Sequence, residues 1–274
     1  MWEKEGYIES SGLRLHYLER GRGKPVLLLH GFGETANVWD YLLPYLVGPF
    51  RLLALDQRGH GLSDRALEGC YSTLHFVSDI EALVQVLDLK GLTLVGHSMG
   101  GRNALVYAAL HPQGVERLVV IDYGPELAPE GRHRIVKALR SRGDYFELQQ
   151  MAQTLMEENP RLDLKRAQEY LLKISKPLED GRYRWRCDLK LLRAVREGKR
   201  VLRDVDLWQF VHRVRCPTLL LRGAESDLLR PEDAQKMAQA MADCRLVEIP
   251  HAGHAVPLDN PEATARAIKD FVTT

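Results

Sequence analysis

The sequence predicts an α/β fold, a mostly parallel sheet covered by helices and interrupted once by a helical insertion. Three observations carry this reading. Continuous apolar runs of strand length recur at Val26 to Leu29, Leu52 to Leu55, Leu92 to Val95 and Leu118 to Ile121, as expected for strands buried on both faces. Segments of helical periodicity lie between these runs. From about Pro125 the strand rhythm stops, and it returns only at Thr218.

In chain order, Leu13 to Leu18 alternates like a half-buried hairpin strand, and the run from Val26 begins the central strands. Leu74 to Leu87 places Phe76, Val77, Ile80, Leu83, Val84 and Leu87 at helical spacing, and Met99 to Leu110 is Ala-rich. Both predict crossover helices. Between Pro125 and His212 no strand-like run occurs, and Leu, Met, Phe and Trp recur at spacings of three and four, so this stretch predicts a helical cap. A strand at Thr218 to Leu221, a helix from about Glu232 to Met241, a strand near Leu246 to Ile249 and a helix after Pro261 complete the body. The expected organisation is a core of residues 1–125 and 213–274 with a cap at 126–212. No repeat or low-complexity linker is visible.

Composition excludes several classes. A chain of 274 residues with 45% hydrophobic and 27% charged residues has the profile of a globular protein and can bury a large core as one domain. The net charge of +1 gives no reason to expect nucleic acid or a membrane surface as partner. The start, Met-Trp-Glu-Lys-Glu-Gly, has no apolar segment behind a basic one, and no apolar run approaches the length of a membrane span, so a cytoplasmic location is expected. Cys70, Cys187, Cys216 and Cys244 are far apart with no C-x-x-C, which argues against disulfides and thiolate metal sites. No metal and no cofactor are expected. The Gly-Arg-Gly-Lys-Pro tract at 21–25 lacks the spacing of a phosphate loop and reads as a turn.

The chemistry centres on Gly96-His97-Ser98-Met99-Gly100, a G-x-S-x-G element between an apolar strand and an Ala-rich helix. By composition alone such a match arises in about one chain in ten of this length, so the strand-to-helix setting carries the weight. A serine hydroxyl needs a base to take its proton and a carboxylate to orient that base. The order Ser, acid, His points to His254, just beyond the strand Leu246 to Ile249, and to Asp227, beyond the strand Thr218 to Leu221. Asp122, at the end of Leu118 to Ile121, is the alternative acid reaching the same histidine from a neighbouring strand, with Glu225 a third candidate. His251 competes weakly for the base role, and no third ligand of suitable spacing makes the two histidines a metal site. The oxyanion donors expected are the backbone amides of Met99 and of Phe32, the latter in His30-Gly31-Phe32-Gly33.

These motifs amount to a resemblance over nearly the whole chain. The sequence resembles the α/β-hydrolase superfamily through His30-Gly31-Phe32-Gly33, Asp56-Gln57-Arg58-Gly59-His60-Gly61-Leu62-Ser63, Gly96-His97-Ser98-Met99-Gly100-Gly101, Gly223 with Asp227, and Gly253-His254. The resemblance implies an eight-stranded, mostly parallel sheet with a cap, a structural role for the segment from Asp56, and a serine hydrolase. Tyr183-Arg184-Trp185-Arg186-Cys187-Asp188-Leu189 is similar to a cap segment of small carboxylesterases, as is Asp-Tyr-Gly-Pro at 122–125. Members that open epoxides or remove halogens carry Asp at the elbow, whereas Ser98 stands there here.

The cap, with 19 Lys/Arg against 14 Asp/Glu, is mildly basic and carries Phe146, Met151, Leu155, Met156, Trp185 and Trp208. An apolar pocket between cap and sheet suits small or medium acyl and aryl esters, with Trp185, Tyr123 and Val256 as candidate lining residues. The expected activity is therefore that of a carboxylesterase acting on a small-molecule ester. Carbon-carbon bond, lactone or peracid chemistry with the same residues is an alternative, and a ligand sensor on the same fold is a reading of another class.

Overall fold

The structure, a computed structural model, describes residues 1–66, 70–198 and 204–273. The chain opens with a hairpin, β1 (Lys4–Ser10) and β2 (Leu13–Gly21), joined by Ser11 and Gly12 at φ of 49° and 76°. Two left-handed residues make the tight turn whose twist matches paired strands. β3 (Lys24–Leu29) and β4 (Phe50–Leu55) follow, with a 3₁₀ turn at Ala36–Tyr41 between them. Then come α1 (Thr73–Val86), β5 (Leu92–His97), α2 (Met99–Leu110) and β6 (Val115–Ile121).

After an inserted segment, β10 (Thr218–Gly223), α8 (Pro231–Ala240), β11 (Cys244–Ile249), α9 (Val256–Asp259) and α10 (Pro261–Thr273) complete the body. The eight strands of the main sheet run in the order β1-β2-β4-β3-β5-β6-β10-β11. β2 is antiparallel to both β1 and β4, and the remaining pairs are parallel. All residues of β5 and β10 are buried, as strands covered on both faces must be. Hydrophobic burial of this kind, at roughly 25 cal/mol per Å², is the main favourable contribution to the fold.

Parallel register brings strand ends to one edge. Leu29 pairs with Gly96, His97 with Ile121, Ile121 with Leu221 and Gly223 with Ile249. The segments that follow β3, β5, β6, β10 and β11 therefore all emerge at the carboxyl edge, where open α/β sheets bind ligands.

Between β6 and β10 lie α3 (Pro129–Ser141), α4 (Leu148–Glu158), α5 (Leu164–Ile174), α6 (Leu189–Arg196) and α7 (Trp208–Val211). This segment also holds a three-stranded sheet of β7 (Tyr145–Phe146), β8 (Ser175–Pro177) and β9 (Tyr183–Trp185), in the order β7-β9-β8. The sequence predicts no strand here, because runs of two and three residues are too short to show a period of two. The part of the expected cap at 199–203 lies outside the described residues. Among the described residues no helix is long and apolar enough to cross a membrane.

Candidate active site

Ser98 sits between β5 and α2 with φ of 51° and ψ of −115°. A non-glycine residue held there stores strain, which persists only where its surroundings over-determine it. The flanking glycines are that surrounding. A Cβ on Gly96 would lie 2.2 Å from the Gly100 carbonyl oxygen, and one on Gly100 would lie 2.1 Å from that of Leu29. Strand and helix can meet this closely only without side chains, and the closeness lifts the serine hydroxyl out of the turn.

His254, beyond β11, places Nε2 3.0 Å from Ser98 Oγ. Its Nδ1 is 2.8 Å from Oδ2 of Asp122, which directly follows β6 and is fully buried. Asp122 also accepts from the Gly223 amide at 3.0 Å and from the Ser226 hydroxyl at 2.6 Å. An aspartate so placed can fix the tautomer of the ring and stabilise positive charge on it, while Nε2 takes the proton of Ser98.

This corrects the expectation that Asp227 orients the histidine. Asp227 instead receives two hydrogen bonds from Arg134 of α3, at 2.5 and 2.7 Å, and its side chain is half-exposed. Those bonds, against some burial, hold its carboxyl below the usual range. The reason for the difference is topological. β6 is the immediate neighbour of β5, whereas β10 lies one strand further out, and four residues past Gly223 the chain lies against α3. What the segment Glu225-Ser226-Asp227 delivers to the site is Ser226, as a donor to Asp122. Glu225 pairs with Arg161, and His251 is an exposed residue at φ of 54°.

Met99 is the first residue of α2, so its amide is among the N–H groups that a helix leaves without an intrahelical partner, at the positive end of the helix dipole. Phe32 lines a cavity with Ser98 on each side of it. The Asp56 segment is used structurally: its carboxylate accepts from the amides of Ala36 at 2.7 Å and Leu62 at 2.9 Å and pairs with His16. Arg58 donates two buried hydrogen bonds to the carboxylate of Asp79. Gln57 donates its backbone and side-chain N–H groups to the ring and carbonyl of His30 and accepts from the side-chain amide of Asn103 in α2.

Two chambers open from Ser98. One, of about 400 Å³, is lined by His254, Asn159, Asp227, Arg134, Arg142 and Arg161, among others. The other, of about 550 Å³, is mainly apolar and includes Met99, Tyr123, Leu127, Val136, Leu139 and Leu228, with Arg102 and Arg132. Of the candidate lining residues, Tyr123 reaches the apolar chamber. Trp185 lines neither of these two chambers. Its ring centroid stands 4.3 Å from that of Phe146, its N–H donates to the Gly143 carbonyl, and it borders a small crevice with Phe32, Leu139 and Tyr170. Val256 is fully buried at the start of α9. Both corrections follow from burial: at helical or strand spacing an apolar side chain is more often core than cavity wall.

Glu34, His97 and Tyr170 were not among the expected site residues, yet all three border the Ser98 chamber. The available signal was an ionisable residue adjoining each motif, Glu34 after the glycine loop and His97 inside the elbow.

Sheet order and elbow together define the class, the α/β hydrolases. The chain belongs to the alpha/beta hydrolase family, whose model matches residues 26–267. It is 30% identical to a 2-(acetamidomethylene)succinate hydrolase of Mesorhizobium japonicum, over 97% of this chain and 94% of that one. It is 28% identical to an esterase of Mycobacterium tuberculosis, over 93% of this chain and 84% of the relative. The crystal structure of an E-2-(acetamidomethylene)succinate hydrolase superposes with a TM-score of 0.88 at 28% identity, covering 99% of each chain.

Proposed function

We propose that the protein is a carboxylesterase that cleaves small or medium acyl and aryl esters through an acyl-enzyme on Ser98. The observation that supports this most is the relay from Asp122 through His254 to Ser98, with successive separations of 2.8 and 3.0 Å. His254 Nε2 takes the hydroxyl proton as Oγ attacks the carbonyl carbon, and Asp122 stabilises the imidazolium that results. The amides of Met99 and Phe32 hold the developing oxyanion. His254 then returns the proton to the leaving oxygen, and water repeats the sequence on the acyl-enzyme.

His254 must protonate the leaving group, and it lines the chamber that carries Arg134, Arg142, Arg161 and Asp227. The leaving group therefore belongs on that side and the acyl group in the chamber beside Met99, which His254 does not line. A panel of p-nitrophenyl esters from acetate to octanoate tests the reading, together with fluorophosphonate labelling and Ser98→Ala. Turnover and labelling that both vanish in the variant are expected. An untouched panel would remove the esterase assignment.

A second reading is favoured by the arginines. Arg134, Arg142 and Arg161 all border the chamber that holds His254, and one relative is named for a succinate derivative. In that reading the same serine chemistry acts on a carboxylate-bearing substrate, at a carbon-carbon or lactone bond. Assaying such substrates beside the esters separates the two.

A further inference from the structure

Glu34 and His97 form a buried charged pair that the proposed reaction does not use. His97 Nε2 lies 2.9 Å from the backbone carbonyl oxygen of His254, which can only accept, so Nε2 carries a proton. Its Nδ1 lies 3.3 Å from Glu34 Oε2. The same Oε2 accepts the Gly31 amide at 2.7 Å, and Oε1 accepts the Tyr170 hydroxyl at 3.0 Å. Glu34 accepts donors on both oxygens and its carboxyl is held low enough to be ionised, so the contact at Nδ1 is a hydrogen bond in which Nδ1 donates and His97 carries both ring protons. Burial opposes charge on Glu34, yet the hydrogen bond and charge of His97, with the Gly31 amide, outweigh it and bring the carboxyl to about 2. Burial would likewise lower His97, and the Glu34 bond and charge raise it instead.

Each bond ends on a different part of the site. Gly31 precedes Phe32, whose amide is a proposed oxyanion donor. His97 precedes Ser98, and through His254 O it holds the main chain of the proposed base, whose ring centroid is 5.1 Å from its own. Tyr170 belongs to α5, within the segment inserted between β6 and β10. One carboxylate thus joins the glycine loop, the elbow, the histidine loop and the cap.

We propose that Glu34 is a positioning residue that couples seating of the cap to alignment of the oxyanion loop and His254, acting through His97 and Tyr170. This rests on the serine-hydrolase reading above. Losing the Tyr170 hydroxyl removes the bond that ties Oε1 to α5, while Gly31 and His97 still hold Oε2. Losing Glu34 leaves the His97 charge buried without its partner, a change that displaces surrounding groups rather than leaving them in place.

The test is steady-state kinetics on p-nitrophenyl butyrate for Glu34→Gln, His97→Gln, Tyr170→Phe and the doubles Glu34→Gln/His97→Gln and Glu34→Gln/Tyr170→Phe, each checked for folding by circular dichroism. Misalignment by about an ångström lowers rates by about 10²-fold, so Glu34→Gln is expected to lose about that much kcat while KM stays within about 3-fold. Tyr170→Phe is expected to lose several-fold in the wild-type background and nothing further beside Glu34→Gln. Glu34→Gln/His97→Gln is expected to be no slower than Glu34→Gln. A kcat for Glu34→Gln within about 2-fold of wild type, or losses that multiply in either double variant, would overturn the proposal. Should Glu34→Gln not fold, Tyr170→Phe decides alone, since an unchanged kcat there excludes coupling through the cap. Wild type that resists fluorophosphonate, or turnover that survives Ser98→Ala, would instead mark failure of the hydrolase reading itself.

Discussion

Asp122 and His254, 132 residues apart in sequence, meet at the carboxyl edge of the sheet with Oδ2 2.8 Å from Nδ1. Asp227 stands in the segment after the next strand and is bound to Arg134 instead. The two aspartates make opposite predictions. Asp122→Asn leaves the shape of the site intact but favours the wrong ring tautomer, and kcat should fall by about 10⁴-fold. Asp227→Asn should stay within a few-fold of wild type, and single-turnover assays on an activated ester distinguish the two.

The elbow glycines predict a loss of stability. Gly100→Ala drives a Cβ to 2.1 Å from the Leu29 carbonyl oxygen, a backbone atom at the end of the central strand β3 that has nowhere to move. Overpacking of this kind costs about 3 kcal/mol or more, and the melting temperature should drop by roughly 6 °C or more. Differential scanning calorimetry reads it directly. A melting point equal to that of wild type would contradict the close approach.

The buried histidines set a pH dependence. His60 is pushed down to about 3, by burial first and by neighbouring His30 next, whereas in an unfolded chain it takes its proton near 6.5. His30 is lowered as well, again by burial. The unfolded chain therefore binds more protons over that range. Their contribution to stability is complete above pH 6.5 and is lost as pH falls toward 3. Glu34, at about 2 against 4.5 unfolded, adds its loss only below 4.5. His97 runs the other way. Its pKa is raised, so its contribution is complete below 6.5 and disappears as pH rises through the folded value. Melting temperatures should thus decline between pH 6.5 and 4.5, and His60→Gln, whose amide oxygen can still accept the Gly33 N–H, should make that decline shallower. An unchanged slope would show that His60 is not the group responsible.

The two chambers predict a change in chain-length preference. Val136 is half-buried on α3 and lines the apolar chamber of about 550 Å³. Val136→Trp should lower kcat/KM for octanoate esters by about 10-fold or more while leaving acetate within about 3-fold, because each buried methylene is worth about 0.8 kcal/mol. A uniform effect along the acyl series would place the acyl group elsewhere.

Much of this protein was legible in its sequence because the relevant physics is local. Strands buried on both faces must be continuously apolar, and Val26 to Leu29 and Leu92 to Val95 read as strands for that reason. A serine lifted between a strand and a helix needs glycine on both sides, so Gly96 and Gly100 marked Ser98. His254 followed from its place just beyond a predicted strand. The short strands of the inserted segment escaped because two or three residues carry no period.

The choice between Asp122 and Asp227 was settled by tertiary structure alone. Both follow a strand, and sequence spacing does not say which strand lies beside β5 or how far a loop travels before its carboxylate can turn back. Strand order placed Asp122 next to Ser98, and the loop after β10 sent Asp227 to Arg134. The burial of Trp185 and Val256, and the joining of Gly31, His97 and Tyr170 by Glu34, are likewise properties of contacts between segments far apart in the chain. A motif fixes the conformation of a few consecutive residues, whereas the partner of a charge depends on every segment packed around it.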